Sequence, residues 1–117
     1  MRLFYLFRRD DESGISGPGY VAEGVQLSNN RCVLSWRMQY TSIAIYDDID
    51  TIKSIHGHQG KTTVVWDDLD FIAPDGIPRL MDGAHVVNGQ TGHSEGSMGP
   101  IPSDWKRPSE YLKALKI

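Results

Sequence analysis

Two short stretches concentrate the side chains that could do chemistry. The first, His56-Gly57-His58-Gln59-Gly60-Lys61-Thr62, sets two imidazoles, an ammonium and a hydroxyl among glycines. The second, Ser13 to Gly19, interleaves the hydroxyls of Ser13 and Ser16 with Gly14, Gly17 and Gly19, and follows the pair Arg8-Arg9. Backbone amides in glycine-rich turns, joined by guanidinium, ammonium, imidazole and hydroxyl donors, form concave places for anions. The chemistry these residue types suit is the holding of a phosphorylated or hydroxyl-rich small molecule. The candidate contacts are Arg8, Ser13, Ser16, Gly17, Gly19, His56, His58, Lys61 and Thr62.

Sharper motifs fail on spacing. A phosphate loop of the form G-x-x-x-x-G-K-S/T needs glycine at position 55, which is Ile55, and it runs from strand into helix rather than the reverse. His56 and His58 form an H-x-H pair, but a metal needs three or four ligands, and these would have to come from Asp67, Asp68, Asp70, His85 or His93. No metal or cofactor is therefore assigned. The plain alternative is structural: Gly57 ends a helix, Gly60 turns the chain, and the histidines satisfy nearby carbonyls or face water. Asp67, Asp68 and Asp70 read as a solvated strand end. Cys32 alternates with apolar residues and reads as core rather than nucleophile. Glu23 is noted as an acid–base group or hydrogen-bond acceptor; Tyr20, Tyr46 and Trp105 are candidates for stacking on a base. No complete catalytic constellation emerges, so binding is expected before catalysis.

The elements that must position these residues follow from hydrophobic period. Residues 2–7, RLFYLF, are apolar on both alternating faces, as in a strand covered on both sides. Strands follow at 20–27, 31–40, 41–46 and 61–66. In 31–40, Cys32, Leu34, Trp36, Met38 and Tyr40 share a face, and Trp36 and Trp66 are expected in the core. Asn29-Asn30 suits a tight hairpin. Between 47 and 57 the period changes: Ile49, Ile52 and Ile55 lie three apart, Asp47 or Asp48 caps the start, and Gly57 suits a left-handed stop.

From Asp67 the pattern dissolves into Gly, Pro, Asp and Ser. A structureless stretch that long is uncommon inside a compact domain. Its apolar anchors suggest an arm lying over the domain or over a neighbouring subunit, closed by a helix at 108–116 with Ser109 as N-cap. The expected fold is α+β: a mainly antiparallel sheet of about five strands, one short packed helix and a long C-terminal arm. Residues 1–66 form the core domain, and 67–117 the arm.

Composition narrows the function classes. At 117 residues there is room for one domain, and an apolar share of 39% predicts a small core or one completed by a partner chain, favouring a homo-oligomer. A net charge of −3 lacks the basic face that duplex nucleic acid requires. The single cysteine rules out an internal disulfide. Nothing approaches the ~20 apolar residues of a membrane span. The reading is a soluble protein of the cytoplasm.

The pattern SGISGPGYVAEGVQLSNNRCVLSW … SIAIYDDIDTIKSIHGHQGKTTVVW resembles a family of small uncharacterised proteins of bacteriophages, prophages and some bacterial genomes. That family carries a serine–glycine loop before V-A-E-G-V, a tryptophan strand, and H-G-H-x-G-x-T before V-V-W. The resemblance spans roughly residues 3 to 66 and leaves the arm untouched. It implies a phage-type setting, marks Ser13 to Val25 and His56 to Trp66, and carries no catalytic residue over. The leading expectation is a small phage protein that holds or sequesters a phosphorylated, nucleotide-like molecule, with a host immune signal as one candidate. The alternatives are an inhibitor that binds a host protein through its arm, and a His-dependent phosphodiesterase-like enzyme.

Overall fold

The computed structural model describes residues 1–9, 19–37, 41–57, 61–81 and 101–114. They fall into two compact units, Met1–Trp66 and Asp67–Ile117. The first unit is a five-stranded antiparallel sheet with one helix, as the alternation predicts. Its strands are β1 (Arg2–Arg8), β2 (Gly19–Gln26), β3 (Cys32–Trp36), β4 (Ile43–Tyr46) and β5 (Thr62–Trp66), in the order β4-β3-β2-β1-β5. Helix α1 (Ile49–His56) crosses from the β4 edge to the β5 edge.

Residue types explain the joints. Between β2 and β3, Asn30 takes φ +74, and the Asn29 carboxamide accepts from the Arg31 amide, which closes the tight turn. Phe4, Leu6, Leu34 and Ile52 are fully buried where the sheet meets α1. Gly24 lies under the Phe4 ring, where an added Cβ would collide with it, so a glycine is what lets the largest fully buried side chain lie against β2. A register shift between Leu6 and Phe7 leaves Val21 unmatched as a bulge, which brings Tyr20 opposite Phe7 and Gly19 opposite Arg8.

Two details of the helix, its packed stripe and its stop, differ from expectation, and its cap is one of the two expected residues. Its packed stripe runs through Ile52 to the half-buried His56, while Ile55 stays exposed. Asp48 is the cap, its side chain accepting from the Thr51 amide and hydroxyl at 2.8 Å each. Gly57 has φ −70, so it is not a left-handed stop. A Cβ there would run into the Lys53 carbonyl, and space is the reason for glycine.

In the second unit the stretch read as patternless holds a short hairpin, β6 (Phe71–Ile72) with β7 (Pro78–Arg79), and helix α2 (Pro108–Ala114). Ile72 also bridges to Lys106 through reciprocal amide bonds. Ser109 does not cap α2: its amide donates to the Asp67 carboxylate across the chain at 2.8 Å, and Pro108 occupies the first helical position. Residues 82–100 lie outside the described residues. No helix among the described residues is long and apolar enough to cross a membrane.

Candidate functional site

Strand order determines where the two polar loops attach. Because β1 lies between β2 and β5, its last residue, Arg8, is paired on one side with Gly19, the first residue of β2, and on the other with Thr62, the first of β5. The serine–glycine segment joins Arg8 to Gly19 along the chain, and the His-Gly-His segment leads into Thr62. Both connections therefore spring from one end of the sheet, on neighbouring strands.

Arg8 is nearly buried there, and its Nε donates to Thr62 Oγ1 at 3.4 Å. A guanidinium taken out of water is tolerated only where its donors are used, and each donor is aimed by its partner. Beside it, Gly19 has φ +106, a conformation that L side chains rarely adopt, and a Cβ built on it meets none of the described residues within 4 Å.

The other side of the site is tied to the helix end. The Arg9 amide donates to the Lys61 carbonyl at 3.0 Å, and the Thr62 amide to the Gly57 carbonyl at 3.0 Å. Gly57 follows His56, whose Nε2 shares a 2.9 Å hydrogen bond with the Tyr46 hydroxyl. The His56 ring packs edge-on against Trp36 at 4.9 Å and against Tyr46 at 5.7 Å. Such packing holds an imidazole in one orientation, and a phenol hydroxyl can accept its proton or donate to it.

Of the sequence candidates, Arg8, Gly19 and Thr62 share one rung, Lys61 precedes it, and His56 is joined to it through Gly57. Ser13, Ser16, Gly17 and His58 lie outside the described residues. Trp36, expected in the core, is only half-buried and forms the wall behind His56. Trp36 and Tyr46 as partners of His56 were not legible, because contact between the helix end and β3–β4 depends on how the crossover lies. Glu23 stands apart, exposed on the sheet face opposite Leu34 and Trp36. Tyr20 packs on Phe7 at 4.8 Å, and Trp105 belongs to the second unit, under Arg79.

Two other expectations find physical reasons. Burial, with Asp48 nearby, pushes the Cys32 thiol above its ordinary value, which suits a core residue and not a nucleophile. Asp67 and Asp70 accept backbone N–H bonds from Ser109 and Met81, so only Asp68 of that cluster is exposed as expected. Among the described residues, no group of three or more His, Cys, Asp or Glu could hold a metal ion.

Comparison with known proteins gives one family. A family model described as Acb5 phage protein matches residues 1–68, which contain every candidate contact. No curated protein and no solved structure matches the chain.

Proposed function

Because the chain belongs to the Acb5 phage protein family, we propose that its sheet-end site holds a phosphorylated, nucleotide-like small molecule. The ligand expected for a phage protein of this kind is a host immune signal. The observation that carries this reading is the shared rung: Arg8, Gly19 and Thr62 stand side by side where both polar loops attach. A phosphate group offers several acceptor oxygens and negative charge, which a guanidinium fork and a hydroxyl recognise directionally. In this reading Lys61 adds charge, and Ser13, Ser16, Gly17 and His58 supply further donors from the two loops.

A second reading is favoured by a specific feature, the hydrogen bond that orients His56 on Tyr46. An imidazole held in this way beside a bound phosphodiester is placed to move a proton during P–O cleavage. Holding and cleaving then differ only in whether a nucleophile reaches the phosphorus.

One experiment separates them. Cyclic nucleotides are incubated with the purified protein, which is then denatured, and the released material is analysed by mass spectrometry. Recovery of intact ligand at stoichiometric amounts supports the holding function. Accumulation of linear product that disappears in His56→Ala supports cleavage. If a broad panel of phosphorylated nucleotides leaves neither bound ligand nor product, both readings fail.

A further inference from the structure

Contacts to phosphate alone do not tell a nucleotide from any other phosphorylated molecule, so a site that does so needs a second point of recognition. For a nucleotide that point is the base, and an aromatic ring is the usual platform for it. The aromatic residues that the sequence offers for stacking are placed elsewhere. Tyr20 pairs with Phe7 and packs on it, and Phe7 alternates with Arg8 along β1, which puts both rings on the opposite sheet face. Trp105 belongs to the second unit, and the Tyr46 hydroxyl is engaged with His56. Trp66 lies under the Arg2 guanidinium at 3.8 Å and against Phe4.

Register puts Trp36 where these are not. It pairs with Ala22, Ala22 with Leu6, and Leu6 with Val64, while Arg8 and Thr62 form the pair two residues farther along β1 and β5. Partners across a sheet share a face, so Trp36, Arg8 and Thr62 all project on the side of α1. Trp36 is two strands across and two residues along from Arg8, about 12 Å between Cα atoms. Two long side chains narrow that gap to the span of a nucleoside phosphate. The strand end that carries Trp36 is pinned on both sides. Its own amide donates to the Ser42 carbonyl at 3.0 Å, and the Arg37 amide donates to the Val21 carbonyl at 2.8 Å. The indole is half-buried, and the His56 ring, centred 4.9 Å away, stands at 73° to it. A neighbour held close to perpendicular covers at most one face of a ring.

We propose that Trp36 is the base platform of the sheet-end site, so that the ligand is a nucleoside phosphate, purine before pyrimidine. The base lies on the indole while the phosphate meets Arg8 and Thr62. This inference rests on the phosphate-holding reading of that site. Every base presents a π-face, so stacking accepts them all, and the larger purine overlaps the indole more. A ring that the fold already holds in place loses little further freedom when a base settles on it. Phosphorylated sugars and other molecules without a base fall outside the ligand class.

The test titrates the full chain with adenosine 5′-monophosphate, cytidine 5′-monophosphate and ribose 5-phosphate, which keeps the phosphate and lacks the base. Calorimetry and tryptophan fluorescence read the binding for the wild type, Trp36→Leu, Trp36→Phe and Arg8→Gln, each first checked for folding by circular dichroism. The wild type binds the adenosine compound most tightly, and ribose 5-phosphate roughly 10- to 100-fold more weakly. Its fluorescence changes with the two nucleotides and not with ribose 5-phosphate. Trp36→Leu erases the preference for a base. Trp36→Phe keeps most of it, because phenylalanine still stacks, but loses the fluorescence change. Arg8→Gln weakens binding of all three compounds. Equal affinity of the wild type for the adenosine compound and ribose 5-phosphate overturns the proposal and leaves the phosphate site standing. So does a preference for a base that survives in Trp36→Leu. Should Trp36→Leu not fold, Trp36→Phe decides: a fluorescence change that persists in it comes from another tryptophan and overturns the proposal. If none of the three compounds binds, the base platform and the phosphate site fall together.

Discussion

Arg8 ends a strand whose preceding residues, Phe4 to Phe7, are all buried, and it is itself nearly buried. A guanidinium in that position is costly as a structural choice, since Gln or Met would fill the same space without a charge to desolvate. Its position on the rung that joins both loops is what marks it as a candidate contact in the proposed site. Arg8→Lys keeps the charge but loses the planar fork, and Arg8→Gln loses both. Hydrogen bonds to charged groups contribute about 1.5–3 kcal/mol, so each variant is expected to weaken nucleotide binding roughly 10- to 100-fold. Calorimetric titration with the ligand identified by denaturing release measures this, with a thermal melt as the control for folding. Unchanged affinity in Arg8→Gln would remove Arg8 from the site. At this scale the sequence was informative about chemistry and silent about partners. Arginine, glycine and threonine could be singled out by type and spacing, but the pairing of His56 with Tyr46 and Trp36 could not. Ring contacts between a helix end and two strands have no signature in local spacing.

Elements were legible wherever one face is buried and the period is clean. The strands, the asparagine turn and the helix over 49–56 follow from alternation, turn chemistry and a change of period. Strand order did not follow, because β1 is apolar on both faces and could neighbour any strand; only the crossover of α1 sets β5 beside it. Side-chain roles at helix ends were also misassigned where the partner is distant in sequence, as with Asp67 serving the Ser109 amide. The start of α1 matters for the site because the helix carries His56 at its other end. Thr51, donating from both hydroxyl and amide, holds the Asp48 carboxyl below the usual carboxylate range. A folded-state pKa below the unfolded one contributes stability above the unfolded pKa, and that contribution is lost as pH falls through the folded pKa. Asp48→Ala is therefore expected to lower the melting temperature at neutral pH, with the deficit shrinking as the pH drops below about 4. Melting curves at pH 7 and pH 3 check this. A deficit that is the same at both would mean that the charge on Asp48 does not contribute to the cap.

For the whole molecule, the division into two units places all the candidate contacts in Met1–Trp66, within the residues that the family model matches. The second unit is held by different means: the Ile72–Lys106 bridge, the Asp67 cap of α2, and the buried Asp70, whose carboxylate accepts from the Met81 amide at 2.9 Å. Its apolar interior is small, with Ile72, Ala73, Pro108 and Leu112 as buried members. In so small a core one hydrogen bond to a buried carboxylate is a large share of the stability. Asp70→Ala leaves the Met81 amide without its acceptor and is expected to cost about 1–3 kcal/mol. If the units fold with separate cores, that cost stays local. Hydrogen exchange then accelerates at the amides of Ile72, Lys106 and Ser109, while the amides of β1 to β5 and the nucleotide affinity are unchanged. Exchange that rises equally throughout β1 to β5 would show one cooperative unit. A loss of affinity without faster exchange in those strands would show instead that the second unit contributes to the site, and the ligand contacts would have to be sought beyond residue 66.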